Sequence, residues 1–292
     1  MRERGPPSDR DPDELLEFGV VNLDKPPGPS AHQVAAWVRD ACDVDRAAHA
    51  GTLDPKVTGC LPVLTGTATR AAQIFDSSSK GYVAVLELHA PMPSDFDSTL
   101  SAFEGPIYQK PPRKSAVARR LRVRTIHELR ALETEPRRAL LSIRCESGTY
   151  VRKLCHDLGL ALGTGGHMGD LRRTRTGSFD DRTLVTMEDL VDGVAFWRED
   201  GDDELLREVV APAERALEPL PSVTVAPSAA REIANGAPVY APGVIDAELD
   251  GAEDGTLLAC YTPDGAALCI GWLVGDPDAS SGVVVELERV LV

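Results

Sequence analysis

The sequence predicts an α+β protein in two parts: a mixed domain over residues 18–218 and a small β-barrel-like module over residues 219–292. A chain of 292 residues is long enough to bury more than one core, so a large and a small domain are expected. Before Pro219, strand-like runs alternate with amphipathic helical runs, whereas short strands and turns follow it. Residues 1–17 lack the apolar centre of a secretory signal and are predicted to be a polar tail.

Hydrophobic periodicity predicts the first strand and the first long helix. The run "FGVVNLDK" is predicted to be a strand that leads into a Pro/Gly-rich loop. Ser30 is expected to cap the helix that follows this loop. In that helix, Val34, Trp37, Val38 and Ala41 keep the i, i+3, i+4, i+7 spacing of a buried face.

Later runs supply the remaining predicted elements. Residues 82–89 are rich in β-forming residues, and residues 139–147 alternate apolar and polar side chains as a half-buried strand does. Residues 148–163 carry an apolar stripe at helical spacing that ends at a glycine. In the smaller module, residues 257–274 predict a hairpin that turns at Asp264–Gly265.

The composition argues against a membrane protein and against a metal site. No apolar run approaches the roughly 18–20 residues that span a bilayer. The six cysteines contain no CxxC pair, and the six histidines show no metal-ligand spacing. We therefore expect reduced, buried cysteines in a cytoplasmic protein that binds no metal.

The charge of the chain is unevenly distributed. The net charge of −15 argues against a nucleic-acid partner, because phosphate binding requires positive surface. However, residues 110–124 carry seven basic side chains and no acid, and a second basic cluster spans residues 171–175. From residue 219 onward there are eleven acids against two arginines. An acidic surface with retained basic patches fits a protein adapted to high salt, in which excess carboxylate maintains solubility. The alternative is that each basic run is a solvated face without a partner.

The stretch "HAGTLDPKVTG" places an acid in a segment too polar for a core strand. Pro55 favours an extended backbone at Asp54, and Gly51 and Gly59 permit backbone angles that other residues avoid. Asp54 is therefore predicted to lie on a shaped loop. Taken alone, an Asp-Pro pair is more often a turn residue that accepts backbone hydrogen bonds.

Five segments together carry a resemblance to a known family. They read "LDKPPGPS", "HAGTLDPKVTG", "KGYVAV", "SGTYVRKL" and "GDLRRTRTG", in that order. From about Phe18 onward the chain resembles the pseudouridine synthases that include the tRNA-uridine-55 synthases and dyskerin. The resemblance implies a catalytic domain built on a mixed, mainly antiparallel sheet, followed by a PUA domain, which is a small RNA-binding β-barrel.

The resemblance also implies a reaction and its catalytic residues. The glycosidic C–N bond of a uridine breaks, the base rotates, and it rejoins the sugar through carbon, which requires a carboxylate near C1′. Asp54 matches this carboxylate, and Arg152 matches the arginine that keeps it ionised and oriented. Tyr82 matches the tyrosine that stacks on the flipped base. Because this chemistry requires no cofactor, none is expected.

Three further residues match the substrate-binding part of the family pattern. Leu171 matches an apolar residue of the pocket wall, and His49 matches a histidine that helps to fill the gap left by the flipped base. Lys25 is grouped with them and is expected to support the loop of Asp54 rather than to act in the chemistry. The residues expected to contact RNA phosphates are Lys110, Arg113, Lys114, Arg119, Arg120, Arg172 and Arg173.

The segment "QKPPRKSAVARRLRVRTIHEL" favours the archaeal dyskerin-like branch over the bacterial tRNA enzymes. That branch implies a catalytic subunit of an H/ACA ribonucleoprotein, in which a guide RNA and small partner proteins direct modification of ribosomal RNA. Guide-independent modification of tRNA at uridine-55 stays open as an alternative, as does an RNA-binding scaffold without catalysis. A two-carboxylate hydrolase is disfavoured because no second acid accompanies a comparable glycine loop.

Overall fold

The computed structural model describes residues 4–111 and 118–292, and it has the predicted α+β fold. The helices are α1 (Pro12–Glu17), α2 (Ala31–Cys42), α3 (Phe96–Ala102), α4 (Val151–Ala161), α5 (Met187–Asp200), α6 (Glu204–Val209), α7 (Glu214–Leu217) and α8 (Pro227–Ala234). The strands are β1 (Gly19–Lys25), β2 (Ala47–His49), β3 (Thr58–Thr65), β4 (Lys80–Leu88), β5 (Gly105–Gln109), β6 (Arg122–Glu135), β7 (Arg138–Cys145), β8 (Gly166–Thr176), β9 (Phe179–Asp180), β10 (Ala211–Pro212), β11 (Ser222–Val225), β12 (Val239–Tyr240), β13 (Val244–Glu248), β14 (Leu257–Tyr261), β15 (Ala267–Leu273) and β16 (Val283–Val290). Short 3-10 segments cover Pro7–Asp9, Gly66–Phe75, Asp181–Thr183 and Ala241–Gly243.

A ten-stranded sheet forms the centre of the larger part. Its strand order is β10-β1-β3-β8-β4-β7-β6-β5, with β2 paired to β3 and β9 paired to β8. The pairing is antiparallel except between β3 and β8, where Thr58–Gly59 lies opposite Arg172–Arg173. The mainly antiparallel sheet that was predicted is therefore confirmed. The parallel contact places the start of β3 directly against the basic segment of β8.

Alternation along β1 explains how this sheet is buried on both faces. Val21 and Leu23 point into a core that α2, α4 and α5 also line. Val20 points to the opposite face, into a second core that includes Ala259 and Ile270 of the smaller module. The two parts of the chain therefore share apolar packing across this face of the sheet.

The start of α2 follows the predicted capping. The Ser30 side chain accepts from the backbone N–H of Gln33, whose side chain accepts in return from the N–H of Ser30. Val34 and Val38 are buried as predicted. Trp37 is 46% exposed, because the buried stripe centres on Ala31, Val34 and Val38 and leaves Trp37 beyond its edge.

The smaller module is a curled six-stranded sheet, consistent with a PUA domain, with order β12-β16-β15-β14-β11-β13. Strands β14 and β15 form the predicted hairpin, in which Gly265 adopts a φ of +84° at the turn. The last strand, β16, lies beside β15 as the closing strand. In the part of the chain that the structure describes, no helix is long and apolar enough to cross a membrane.

The segment predicted to be a polar tail is instead packed against the rest of the chain, which corrects that prediction for residues 4–17. Leu15 and Leu16 of α1 are buried in the main core. The Arg10 guanidinium is buried and donates two hydrogen bonds, of 2.8 and 2.6 Å, to the two carboxylate oxygens of Glu214. A buried arginine with a bidentate carboxylate partner looks polar in sequence but belongs to the interior.

Candidate active site

Asp54 lies on a loop between β2 and β3, and we call residues 50–57 the Asp54 loop. Gly51 begins the turn with a φ of +92°, a conformation that favours glycine. The backbone N–H of Val57 donates to the carbonyl oxygen of Asp54 over 3.0 Å. The carbonyl of Pro55 accepts from the N–H of Gly28 over 2.9 Å. The loop is thus bonded to itself and to the loop after β1.

Lys25 binds the backbone of the same loop from the protein interior. Its side chain is fully buried, and Nζ donates to the carbonyl oxygens of Pro26, Pro55 and Val57 at 2.9, 3.0 and 2.8 Å. Burial lowers the pKa of the Lys25 ammonium, and the neighbouring Arg173 lowers it further. This geometry fits the expected support of the loop and leaves no Lys25 surface for contact with a substrate.

The carboxylate of Asp54 and the guanidinium of Arg152 are in direct contact through Oδ2 and Nη2. Arg152 lies in the first turn of α4. The side chain of Asp54 is 54% exposed and that of Arg152 is 52% exposed. The pair therefore faces outward at the surface of the fold and is not part of the core. An acid held beside a guanidinium at an open position is available to a bound ligand.

Gln109 positions the start of α4, a contact that the sequence analysis missed. Its side-chain Nε2 donates to the carbonyl of Tyr150 over 3.2 Å, and its Oε1 accepts from the N–H of Tyr150 over 2.9 Å. Gln109 is 1% exposed and ends β5, while Tyr150 immediately precedes α4. The only sequence signal was a polar residue before the Pro-Pro break, which does not reveal a partner 41 residues away.

Tyr82 and Leu171 lie on adjacent strands near the Asp54 loop. In the β4–β8 pairing Tyr82 is opposite Arg173 and Ala84 is opposite Leu171, so the period of two places these residues on one face. Leu171 is buried, and Tyr82 packs against the same core. Burial raises the pKa of the Tyr82 phenol to about 12, and Arg173 opposes part of that rise. The phenol is therefore protonated near neutral pH.

His49 ends β2, immediately before the Asp54 loop. It is half-buried, and its Nδ1 atom has no hydrogen-bond partner among the described residues. Burial lowers the pKa of the imidazole, and the charges of Arg173 and His32 lower it further. The ring is therefore neutral at pH 7 and keeps one unpaired nitrogen beside the loop.

Some of the side chains predicted to contact RNA are exposed, whereas others are hydrogen-bonded within the protein. Lys110, Arg119 and Arg120 are exposed, while Arg113 and Lys114 lie outside the described residues. Arg172 is partly buried and donates two hydrogen bonds, of 3.0 and 2.9 Å, to the carboxylate of Asp24.

Arg173 does not fit its predicted role as a phosphate contact. The side chain is 1% exposed, and it donates to the carbonyl of Cys60 over 2.7 Å and to that of Gly51 over 3.4 Å. The prediction was wrong because it treated "RRTR" as a surface run, whereas alternate residues of a strand face opposite ways. The assignment of Leu171 to the pocket wall already placed Arg173 on the same side of β8.

Three protein-family models match parts of this chain, and named relatives are similar to it over its full length. The DKCLD (NUC011) domain matches residues 4–35, the N-terminal domain of TruB family pseudouridylate synthases matches residues 39–98, and the C-terminal domain of tRNA pseudouridylate synthase B matches residues 152–218. The probable tRNA pseudouridine synthase B of Haloarcula marismortui is 65% identical over 297 residues, which cover 100% of this chain and 94% of that protein. The corresponding protein of Halobacterium salinarum is 62% identical over 301 residues and the full length of both chains.

Solved structures are similar to this chain over nearly its whole length. The chain superposes on a chain of the crystal structure of a Cbf5-Nop10-Gar1 complex with a TM-score of 0.93 and 42% identity, covering 99% of this chain and 90% of that one. For the archaeal box H/ACA sRNP Nop10-Cbf5 complex the TM-score is 0.91 and the identity 39%, over 99% and 91% of the two chains.

Fold and site together define a pseudouridine synthase, an isomerase that acts on uridine in RNA. The chain belongs to the TruB family of pseudouridine synthases. The predicted resemblance to the dyskerin-like branch is confirmed by the likeness to Cbf5, and the inferred salt adaptation agrees with relatives from halophilic archaea.

Proposed function

We propose that this chain isomerises specific uridines as the catalytic subunit of an H/ACA guide-RNA ribonucleoprotein, with Asp54 as the catalytic residue. The observation that carries the site assignment is the contact of Asp54 with Arg152, on a loop that Lys25 binds through the carbonyls of Pro55 and Val57. That arrangement holds one carboxylate beside a guanidinium, oriented and open to a ligand. An aspartate that only accepted backbone hydrogen bonds within its own turn would not need contact with a guanidinium from a distant helix.

In the proposed reaction the target base leaves the RNA stack and lies between Tyr82 and Leu171. Asp54 attacks C1′ of the sugar, or stabilises or deprotonates the sugar-derived intermediate, while the C1′–N1 bond breaks. The base rotates, a C1′–C5 bond forms as any bond between Asp54 and C1′ breaks, the C5 proton leaves and N1 gains a proton. The neutral phenol of Tyr82 and the guanidinium of Arg152 flank this step without changing charge.

Guide dependence is proposed from the structural relatives and from the basic surface. The Cbf5 chains above come from a complex with Nop10 and Gar1 and from a complex with Nop10, and a third similar structure is an H/ACA RNP bound to a substrate RNA. Lys110, Arg119 and Arg120 supply exposed positive charge that binds a phosphate backbone without reading sequence. Guide pairing then selects the uridine, and the small proteins of the particle are the expected partners. The PUA-like module from about residue 219 is proposed to hold the guide.

The alternative is guide-independent modification of tRNA at uridine-55. It is favoured by the names of the relatives from Haloarcula marismortui and Halobacterium salinarum, which are called probable tRNA pseudouridine synthase B. Both functions use the same catalytic site. They differ in whether the isolated chain recognises its substrate.

A reconstitution experiment distinguishes the two functions. The purified chain is incubated at high potassium with a tRNA transcript, or with an rRNA fragment, an H/ACA guide and the partner proteins, and pseudouridine is mapped by nucleotide position. We expect site-specific product on the rRNA fragment only when guide and partners are present. Efficient modification of tRNA position 55 by the chain alone, with no effect of guide or partners, would establish the alternative.

A further inference from the structure

Two buried cations bind the backbone on both sides of Asp54. Lys25 binds the carbonyls of Pro55 and Val57 within the Asp54 loop. Arg173 binds the carbonyl of Gly51, near the start of the loop, and that of Cys60, three residues beyond its end. Arg173 therefore joins the start of the loop to the strand that follows it through one rigid group.

The planar fork of arginine suits this position. Nε donates to Cys60 over 2.7 Å, while Nη1 and Nη2 both lie 3.4 Å from the carbonyl oxygen of Gly51. A lysine ammonium can also bind several carbonyls, as Lys25 does, but it is a compact point charge on a flexible stem and lacks the rigid planar fork that reaches two carbonyls from different edges. The carbonyl of Arg173 also lies where a side chain on Gly59 would begin, since a Cβ there would be 2.2 Å from it.

The same guanidinium reaches the residue assigned to the flipped base. Tyr82 lies directly opposite Arg173 in the β4–β8 pairing. Burial raises the pKa of the Tyr82 phenol, and the charge of Arg173 and a hydrogen bond with it act in the opposite direction. Arg173 thus contacts the backbone around Asp54 and also neighbours Tyr82.

The charge of Arg173 has no carboxylate partner among the described residues. It lies near two other buried cations and lowers the pKa of Lys25 and Lys80, in each case after burial itself. A buried charge with no carboxylate to neutralise it is costly to the fold. A neutral hydrogen-bonding residue at this position would avoid that cost, so the presence of a charge here points to a role beyond packing.

We propose that Arg173 is a positioning residue for the isomerisation, which fixes the Asp54 loop relative to Tyr82 so that carboxylate and stacked base keep one separation. The proposal rests on the catalytic role proposed for Asp54. Arg173 itself touches neither substrate nor reacting atoms, because it is covered by the loop.

The test compares Arg173→Lys and Arg173→Met with Arg10→Lys and Asp54→Asn in the complete reconstituted enzyme. Arg10 is a matched control because it is equally buried, at 1%, but is bonded to Glu214 and lies outside the site. The readouts are the single-turnover rate, the affinity for substrate RNA, the melting temperature, and hydrogen exchange of the peptide that contains the Asp54 loop.

We expect both Arg173 variants to lower the single-turnover rate, Arg173→Met by about 100-fold, because a displacement of about 1 Å is enough for such a loss. RNA affinity should change less than threefold, and the Val57 amide that bonds to Asp54 should exchange faster. Arg10→Lys should lower the melting temperature while leaving the rate and the loop's exchange unchanged.

The proposal is overturned if Arg173→Met keeps the wild-type rate while Asp54→Asn is inactive. It is also overturned if the rate loss is matched by Arg10→Lys at equal loss of melting temperature, since that identifies a purely structural arginine. Full activity of Asp54→Asn would instead remove the proposed catalytic role. The two failures are therefore distinguishable.

Discussion

Gln109 and Tyr150 exchange two hydrogen bonds, so the end of β5 and the start of α4 are fixed relative to each other. Lys110, the first residue of the basic segment, directly follows Gln109, and Arg152 comes two residues after Tyr150. The buried side-chain amide of Gln109 therefore connects the start of the proposed RNA-binding segment to the start of the helix that carries Arg152.

We predict that Gln109→Met lowers the single-turnover rate more than Gln109→Glu does. Methionine removes both bonds to Tyr150, whereas glutamate still accepts from its N–H but no longer donates to its carbonyl. The expected losses are about 100-fold and 10-fold, for a misplaced group at the site. Equal rates for the two variants and the wild type would mean that α4 keeps Arg152 in place without this contact.

We predict that Asp54→Asn abolishes turnover while folding and RNA affinity are retained. Asparagine keeps the shape of the loop, whose internal bond uses the backbone carbonyl of residue 54 and not its side chain. The charge that the reaction requires is lost. Product formation and RNA binding are measured on the same preparation, and substantial product would contradict the assignment.

Arg152→Lys is expected to reduce the catalytic rate strongly with little effect on RNA affinity. Lysine keeps a positive charge but loses the planar guanidinium that orients the carboxylate of Asp54. Rate and affinity are measured separately by single-turnover kinetics and by filter binding. A loss confined to affinity would identify Arg152 as a phosphate contact.

The buried pair of Arg10 and Glu214 should contribute far more to stability than an exposed pair does. Arg10→Met leaves the Glu214 carboxylate with the backbone N–H of Ala267 as its remaining donor, so we expect a loss of about 3 to 5 kcal/mol in the free energy of unfolding. In the matched control Arg39→Met, the lost partner is the exposed Asp40, and the expected loss is below about 1 kcal/mol. Urea unfolding in the same buffer measures both, and similar losses would contradict the prediction.

Lys80 should make stability rise with pH in a defined window. Its ammonium is 3% exposed, and burial, followed by the charge of Arg173, lowers its pKa from 10.5 to about 8. Between these two values the unfolded chain binds more protons than the folded one, so raising the pH favours the folded state. From pH 7.5 to 9.5, wild type should therefore gain stability relative to Lys80→Met. A difference that stays constant over this range would show that Lys80 titrates normally.

The sequence predicted the elements whose evidence is local. The capped start of α2 at Ser30, the hairpin at Gly265 and the strand-loop setting of Asp54 each depend on a few neighbouring residues. The site motifs are also short, and the contact of Asp54 with Arg152 was expected from the family resemblance.

The errors concern polar side chains with distant partners. Arg10 and Arg173 were predicted to be solvated because their runs are polar. Both are buried instead: Arg10 bonds to Glu214, 204 residues away, and Arg173 bonds to Cys60, 113 residues away. No local pattern encodes such a partner, since burial of a charge is decided by what the completed fold places around it. The alternation of side chains between the two faces of β8 was the one available sequence signal of such burial, and it applied to Arg173 only.

The contacts of Arg4 constrain the order in which this chain folds. Its guanidinium lies 3.6 Å from the ring centroid of Phe18 and donates to the carbonyl of Leu291 over 2.7 Å, across a separation of 287 residues. During synthesis Arg4 leaves the ribosome long before its acceptor exists, so this bond forms only after β15 and β16 have been made. Contacts of such high sequence separation form slowly because the intervening chain must be ordered first. Docking of Arg4 onto the carbonyl of Leu291 is thus a late event, and until then the apolar surface around Phe18 and Ala267 lacks this cover, which favours association with other chains.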